Sequence, residues 1–399
     1  MSKNNTKERI DVISKRLNLI DAFTRSTNTT NIIGQNVKYP KEHVDLDDFI
    51  TRTKTKLKYV SSGSGGHTFR GSVRLDNGQP FYYALKLVPM RASSSYGNAN
   101  NINRPENAEI NALCYISKHV KSRSTPHIMC PITTFNTDIN SIRKLHFEKD
   151  RHAKDKKKFK KLCEYLKLAD DPSKYHPTIS VLISEWANSG DLLSFLRKKY
   201  STLTSMQWRV IMFQLLHPLA VIHKVDPKFR HNDFKANNIL LHEGTDKTKW
   251  DTHINYRVGD TYFKIPNMGL SLRIWDFDFA CIPGKVENDK VTTKWCKKIN
   301  VTPRQNQYYD VHYFFYTLFY HAFLPDFFKC KTVPKSVINF IHRMIPPKAR
   351  DNVMKRGRTK LTEELLTPLQ IILNDPFFDK FRFTKKKNTN DLSSTLSKD

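Results

Sequence analysis

Residues 312–323 read HYFFYTLFYHAF, a run apolar on nearly every side of a helix. Such a helix has no face to offer water and belongs in the middle of a folded lobe. Upstream, Trp208, Ile211, Met212, Leu215, Leu219 and Ile222 recur on one helical face, so the second part of the chain reads as helix-rich. The first part has a different period. A glycine-rich turn after Tyr59 leads to FYYALKLV, too short for a helix and rich in aromatics, which predicts a strand, and residues 105–120 then read as a helix carrying Glu109 and Leu113. Sheet first and helices second predicts an α+β protein of two lobes.

With 399 residues, 39% hydrophobic and 12% aromatic, most of the chain can bury a core. The formal charge of +29 favours contact with an anionic partner, lipid or nucleic acid, without naming a reaction. The six cysteines form no CxxC pair and have no histidines at zinc-finger spacing, so reduced, mostly buried thiols are expected. Met1 to Arg16 lacks the apolar core of a signal peptide, and the apolar run around 311–324 is too short and interrupted to span a bilayer. An intracellular, soluble protein without a transmembrane segment is expected. Ile10, Ile13, Leu17 and Ile20 predict an amphipathic helix in an extension covering residues 1–45. Residues 136–178, containing RHAKDKKKFKK, read as a basic insertion, and 384–399 as a polar tail with no means of burying itself.

Phosphoryl transfer from a nucleotide needs a cradle for phosphates, a lysine on them, hard oxygen ligands for a metal, and an acid facing the attacking hydroxyl. In SGSGGHTF, Gly63, Ser64, Gly65 and Gly66 form a turn whose amides can approach anionic oxygens, although a surface turn has the same composition. Lys86 sits amid FYYALKLV, where a buried ammonium demands an anionic partner, and Glu109 on the next helix is available. RHNDFKANNILL places Asp233, Lys235 and Asn238 in one loop, and Asp276 ends a later apolar run in RIWDFDFA. Each alone would pass for a turn residue. Together they offer an aspartate for the hydroxyl, a lysine for the transferred group, and an amide and a second aspartate for a magnesium ion.

At these positions the chain resembles the protein kinases. HNDFKANN is similar to the family's HRDLKxxN catalytic loop, WDFDFA to its DFG segment, YALK to its VAIK strand, SEWANSGDLLSFL to its hinge and following helix, and NDPFFDKF to its HPFF ending. The resemblance covers roughly residues 57 to 380. It implies lobes at 46–184 and 185–383, with ATP and Mg2+ as cofactors (Mn2+ as the alternative ion) and protein substrates. It implies Asp233 as catalytic base, Lys235 as phosphate contact, Asn238 and Asp276 as metal ligands, and Lys86 on the nucleotide with Glu109 as its partner. Backbone groups of Glu185 and Ala187 would hold the adenine, with Asp191 near the ribose and His231 packing beneath the metal-binding segment near Phe277. Lys235 resembles the serine/threonine subgroup. The DFD motif, the long stretch between Asn238 and Asp276, and Tyr308, Tyr309 and Asp310 before an aromatic helix narrow the resemblance to the divergent serine/threonine kinases of poxviruses and other large DNA viruses. A viral protein would act in the host cytoplasm and could travel in the virion.

Departures from the family pattern favour a second reading. Thr68 stands at the third glycine of the loop, Asn232 replaces the arginine before the base, Asp278 replaces the DFG glycine, and no APE motif precedes Asp310. Thr68, Asp278 and the missing APE suggest, as the alternative, a catalytically weak pseudokinase acting as a basic scaffold; a small-molecule kinase is disfavoured by Lys235 and NDPFF. Loss of the arginine before the base predicts activity independent of phosphorylation in the activation segment. The basic runs at 154–161 and 385–387 read as solvated surface or as contacts to lipid, scaffold or nucleic acid, and the segments 136–178 and 241–272 read as insertions without an assigned role.

Overall fold

The structure, a computed structural model, describes residues 3–63, 65–145, 153–244, 252–320, 322–354 and 356–383, with side chains of the first and insertion helices described from Val12 and Phe159 onward. The first lobe is built on strands β1 (Lys56–Ser62), β2 (His67–Arg74), β3 (Pro80–Arg91), β4 (Pro131–Asp138) and β5 (Tyr175–Glu185). They form one antiparallel sheet in the order β1-β2-β3-β5-β4. β3 is the central strand and is buried on both faces from Tyr83 to Val88. That is why FYYALKLV lacks the polar alternation of a half-exposed strand. Its one charged residue, Lys86, is buried too.

Helix α1 (Lys3–Thr27) precedes this sheet and α2 (Pro105–Ile116) packs against it. Proline at the first turn of α2 costs no hydrogen bond there. The helix is buried on almost every side, and its Glu109 lies beside β3. α1 buries Ile13, Ile20 and Phe23, so the extension is part of the fold.

The insertion is narrower than 136–178, because β4 runs on to Asp138 and β5 begins at Tyr175. Within it, α3 (Ala153–Leu168) is not purely solvated: Leu162 and Tyr165 are buried against the sheet, while Lys160 and Lys161 remain exposed. The side chains of 154–158, Ser64, the 385–387 run and the whole 384–399 tail lie outside the described residues.

The second lobe is organised around α5 (Ser205–Val225), which follows α4 (Leu192–Lys199) and begins in a capping box between Thr204 and Gln207. α6 (Tyr308–Thr317) shares the same apolar cluster, and its side chains are buried almost without exception. The aromatic run is helical only in its first half: α6 ends at Thr317 and the chain turns through Leu318–Tyr320, where Tyr316, Phe319 and Tyr320 are half-buried. Apolar periodicity there reported burial, not helix length.

Between α5 and α6, β6 (Ile239–Glu243) pairs with β9 (Leu270–Ile274), and the chain between them forms a hairpin of β7 (His253–Val258) and β8 (Thr261–Pro266) joined by β10 (Arg382–Phe383). The insertion expected at 241–272 thus shrinks to the stretch between β6 and β9. α1 packs on β7, so extension and hairpin support each other. One apolar cluster runs from Ile13 to Phe381 across both lobes. A separate small one, of Cys281, Val291, Cys296, Ile299 and Val301, lies within the segment after Asp276. Cys114, Cys130, Cys281 and Cys296 are buried free thiols; Cys163 and Cys330 are partly exposed. Among the described residues no helix is long and apolar enough to cross a membrane.

Candidate active site

The glycine turn joins β1 to β2 and is closed by Gly63 N–H donating to Gly66 C=O at 2.9 Å. Gly65 and Gly66 lack side chains for a steric reason. A Cβ on Gly65 would stand 3.3 Å from Lys86 Nζ and 3.9 Å from Glu109 Oε2, and one on Gly66, whose φ is +137°, would strike Leu87 C=O at 2.1 Å. The turn therefore lies directly over the ammonium of β3. Thr68 pairs with Lys86 across β2 and β3. A cavity of about 340 Å³ opens beside this turn, between β3, α2 and α3, with Glu109 and Asp278 in its wall.

Lys86 Nζ donates to Glu109 Oε1 and stands 3.9 Å from Asp276 Oδ1. Burial alone would lower the pKa of this ammonium; Glu109 and Asp276 outweigh it and hold the pKa above its ordinary value. Burial, with Asp276 and Asp278 nearby, pushes the Glu109 carboxyl up to about 7 against the pull of Lys86. Asp278 has its own cation, Lys290. Around Lys86, then, Glu109 and Asp276 supply carboxylate oxygens, hard donors of the kind a divalent ion takes.

The second half of the site is set by the β6–β9 ladder. Ile239 pairs with Ile274, and Trp275 N–H donates to Asn238 C=O at 3.0 Å, so Asn238 and Asp276 leave the same end of one strand pair. Asp276 takes a left-handed φ of 64° and is one-third exposed. Asn238 Nδ2 donates to Asp233 C=O at 2.9 Å and to Asp233 Oδ2 at 3.0 Å, which leaves its Oδ1 as the end of the amide not engaged by the loop. A metal would thus find an amide oxygen and a carboxylate at adjoining strand ends, hard donors of the kind magnesium takes.

Asp233 is buried and also accepts from Lys235 Nζ at 2.7 Å. A residue that sequence reasoning missed completes its shell: Arg358 Nη2 donates to Asp233 Oδ1 at 2.7 Å and Nε to Asn232 C=O at 3.4 Å. Arg358 is buried, with its guanidinium 4.3 Å from the Tyr313 ring centre. Burial would raise the Asp233 pKa, but Lys235 and Arg358 hold it below the ordinary carboxylate value.

The loop is braced from below. Buried Asp310, from α6, accepts from His231 N–H at 2.7 Å and Asn232 N–H at 2.9 Å. His231 Nε2 lies 2.9 Å from Trp275 C=O, and its ring centre is 4.9 Å from that of Phe277, the packing expected for it. Asn232, at a φ of 63°, donates from Nδ2 to Phe279 C=O at 3.0 Å and Thr302 C=O at 3.3 Å. Arg230 reaches Asn300 C=O at 3.1 Å and Arg304 C=O at 3.0 Å. The segment after Asp276 is therefore tied to the loop by these contacts.

The remaining predicted positions lie along the connection between the lobes. Glu185 N–H donates to Cys130 C=O at 3.1 Å, while its carboxylate faces away from the cleft to Arg16 of α1 and to Arg273, whose Nη1 is 2.8 Å away. Ala187 is buried and, among the described residues, takes part in no backbone hydrogen bond. Asp191 caps α4, accepting from Ser194 N–H and Oγ–H, each at 2.8 Å.

A family model described as "Poxvirus serine/threonine protein kinase" matches residues 156–367, just over half of the chain. The chain belongs to this family. A protein of Acanthamoeba polyphaga mimivirus named a "putative serine/threonine-protein kinase" is 41% identical over 356 residues, which cover 86% of this chain and 73% of that protein. A second mimivirus protein named in the same words is 25% identical over 184 residues, 42% of this chain and 46% of its own. The family match takes in the loop of Asp233 to Asn238, Asp276 and Arg358; the first mimivirus protein extends the likeness over most of the chain.

Proposed function

We propose that this chain is an ATP-dependent serine/threonine protein kinase that uses Mg2+, with Mn2+ as the alternative ion. The observation that carries the reading is the arrangement just described: Lys86 between Glu109 and Asp276 beneath the glycine turn, and Asn238 hydrogen-bonded to Asp233 and, through its carbonyl, to Trp275 next to Asp276. When bound, the metal nucleotide supplies the transferable phosphoryl group and a divalent charge against it. Lys86, fixed by Glu109, holds phosphate oxygens beneath the glycine turn. Asp276 and the Oδ1 of Asn238 hold the ion. Asp233, kept ionised by Lys235 and Arg358, accepts a hydrogen bond from a serine or threonine hydroxyl and then its proton; Lys235 stays beside the transferred group. Ala187, with unengaged backbone groups, and Glu185 are positioned to receive the adenine, and Asp191 to border the ribose.

One observation favours the alternative of a weak catalyst serving as a basic scaffold. Arg358 occupies an oxygen of Asp233, and a substrate hydroxyl must share or displace that contact. Phosphosite mapping by mass spectrometry, after the purified protein is incubated with MgATP and a candidate substrate lysate, separates the two readings. New phosphoserine or phosphothreonine, absent without the protein, is expected of the kinase. No incorporation under conditions where MgATP binds supports the scaffold.

A further inference from the structure

A second cavity, of about 670 Å³, shares no lining residue with the cleft cavity. It lies between α1, the start of β3, the connection after β5 and the β7–β8 hairpin, and its lining includes Arg16, Glu185, His242 and Arg273. That volume is in the range of small-molecule sites.

The charges at its floor do not balance. Glu185 accepts from Arg16 Nε at 3.1 Å and forms an ion pair with Arg273, whose Nη1 is 2.8 Å away, so one carboxylate faces two buried guanidinium groups. The other groups of Arg16 are spent on Pro126 C=O and Ile128 C=O, at 2.5 and 2.8 Å. Arg273 has no such relief: its Nε is buried without a hydrogen-bond partner, as is Nδ1 of His242. Burial, then repulsion from Arg16, lowers the Arg273 pKa to about 10 against the pull of Glu185. A buried cation in excess is costly, and an anionic group beside the guanidinium pair would relieve it. Around this floor the walls are apolar, with Ile20, Phe81 and Leu270 among them, while the further charged groups in the lining, Lys15 and Arg70, are also cations.

We infer that this cavity binds a monocarboxylate with an apolar chain, its head beside the Arg16 and Arg273 guanidinium groups and its chain lying against α1 and the hairpin. The lining holds more cations than the carboxylate of Glu185 balances, which favours an anionic head, and its apolar walls favour a chain over a bare phosphate. The inference does not depend on the cleft being catalytic, because of the proposed site residues only Glu185 lines this cavity, and its carboxylate faces Arg16 and Arg273.

The test is calorimetric titration of the full chain with decanoate and, separately, with decan-1-ol, each with and without saturating MgATP. Saturable one-site binding of decanoate, about tenfold or more tighter than decan-1-ol and undiminished by MgATP, is expected. Leu270→Trp, filling the wall, should abolish it, and Arg273→Lys should weaken it. Ile254→Trp replaces Leu270→Trp if circular dichroism finds the latter unfolded. Absence of saturable decanoate binding, equal affinity for acid and alcohol, displacement by MgATP, or indifference to the wall substitution each overturns the inference.

Discussion

Two arginines remote in sequence set the electrostatics of residues the sequence had already singled out. Arg358 lies 125 positions from Asp233 in the chain and 2.7 Å from it in space. Because it helps hold the Asp233 pKa down, Arg358→Gln should raise it, moving the acid limb of the kcat/KM profile to higher pH by about one pH unit; an unmoved limb in a folded variant would leave Arg358 a purely structural brace. Glu185 provides a test through stability. Burial would raise its pKa, but Arg16 and Arg273 lower it to about 2. Its stabilisation, on the order of 3 kcal/mol, is present above the unfolded carboxylate pKa and is lost as pH falls through that value towards 2. Glu185→Gln should therefore melt earlier than wild type at neutral pH, with the gap closing between about pH 4.5 and 2; a gap independent of pH would contradict the pairing. Asp233, Lys235 and Asn238 were legible because one short loop holds them. Arg358, in MKRGRTK, and Arg16, on an amphipathic helix, read as solvated charges, since only tertiary packing brings them to their carboxylates.

At the scale of elements, the insertion helix α3 touches the phosphate-binding candidate itself. The Tyr165 ring centre is 5.2 Å from that of His67, the residue after the glycine turn, and His67 Nδ1 lies 2.5 Å from Ser62 Oγ on the opposing strand. The contact anchors the strand ends of the turn, and Tyr165→Ala should weaken MgATP affinity roughly two- to tenfold, the worth of one aromatic contact. Titration of MgATP by melting temperature reads this out; lower stability with unchanged affinity would reduce α3 to a brace. The strand β3, the helix carrying Glu109 and the long helix α5 were readable from periodicity and length. The bounds of the insertion and the end of α6 were not. Polar composition does not report where β4 stops at Asp138, and the aromatics after Thr317 stay packed although the helix ends. Nor did the sequence reveal that the stretch between Asn238 and Asp276 folds into a hairpin supporting α1, because pairing of β7 with β8 is a contact property, not a composition.

For the molecule as a whole, membership of the poxvirus serine/threonine kinase family agrees with the two-lobe α+β architecture. Asp310, on the buried helix of the second lobe, holds the loop of Asp233, while β3 and α2 of the first lobe present Lys86 and Glu109. The site thus depends on both lobes and on the single apolar cluster that joins them. Phosphoryl transfer through this cleft is the central claim, and comparing wild type with Asp233→Asn tests it most directly. Phosphate incorporation from MgATP into serine or threonine should fall by roughly 10² to 10⁴-fold in the variant, while the rise in melting temperature on adding MgATP stays the same. Equal incorporation by both proteins would contradict it.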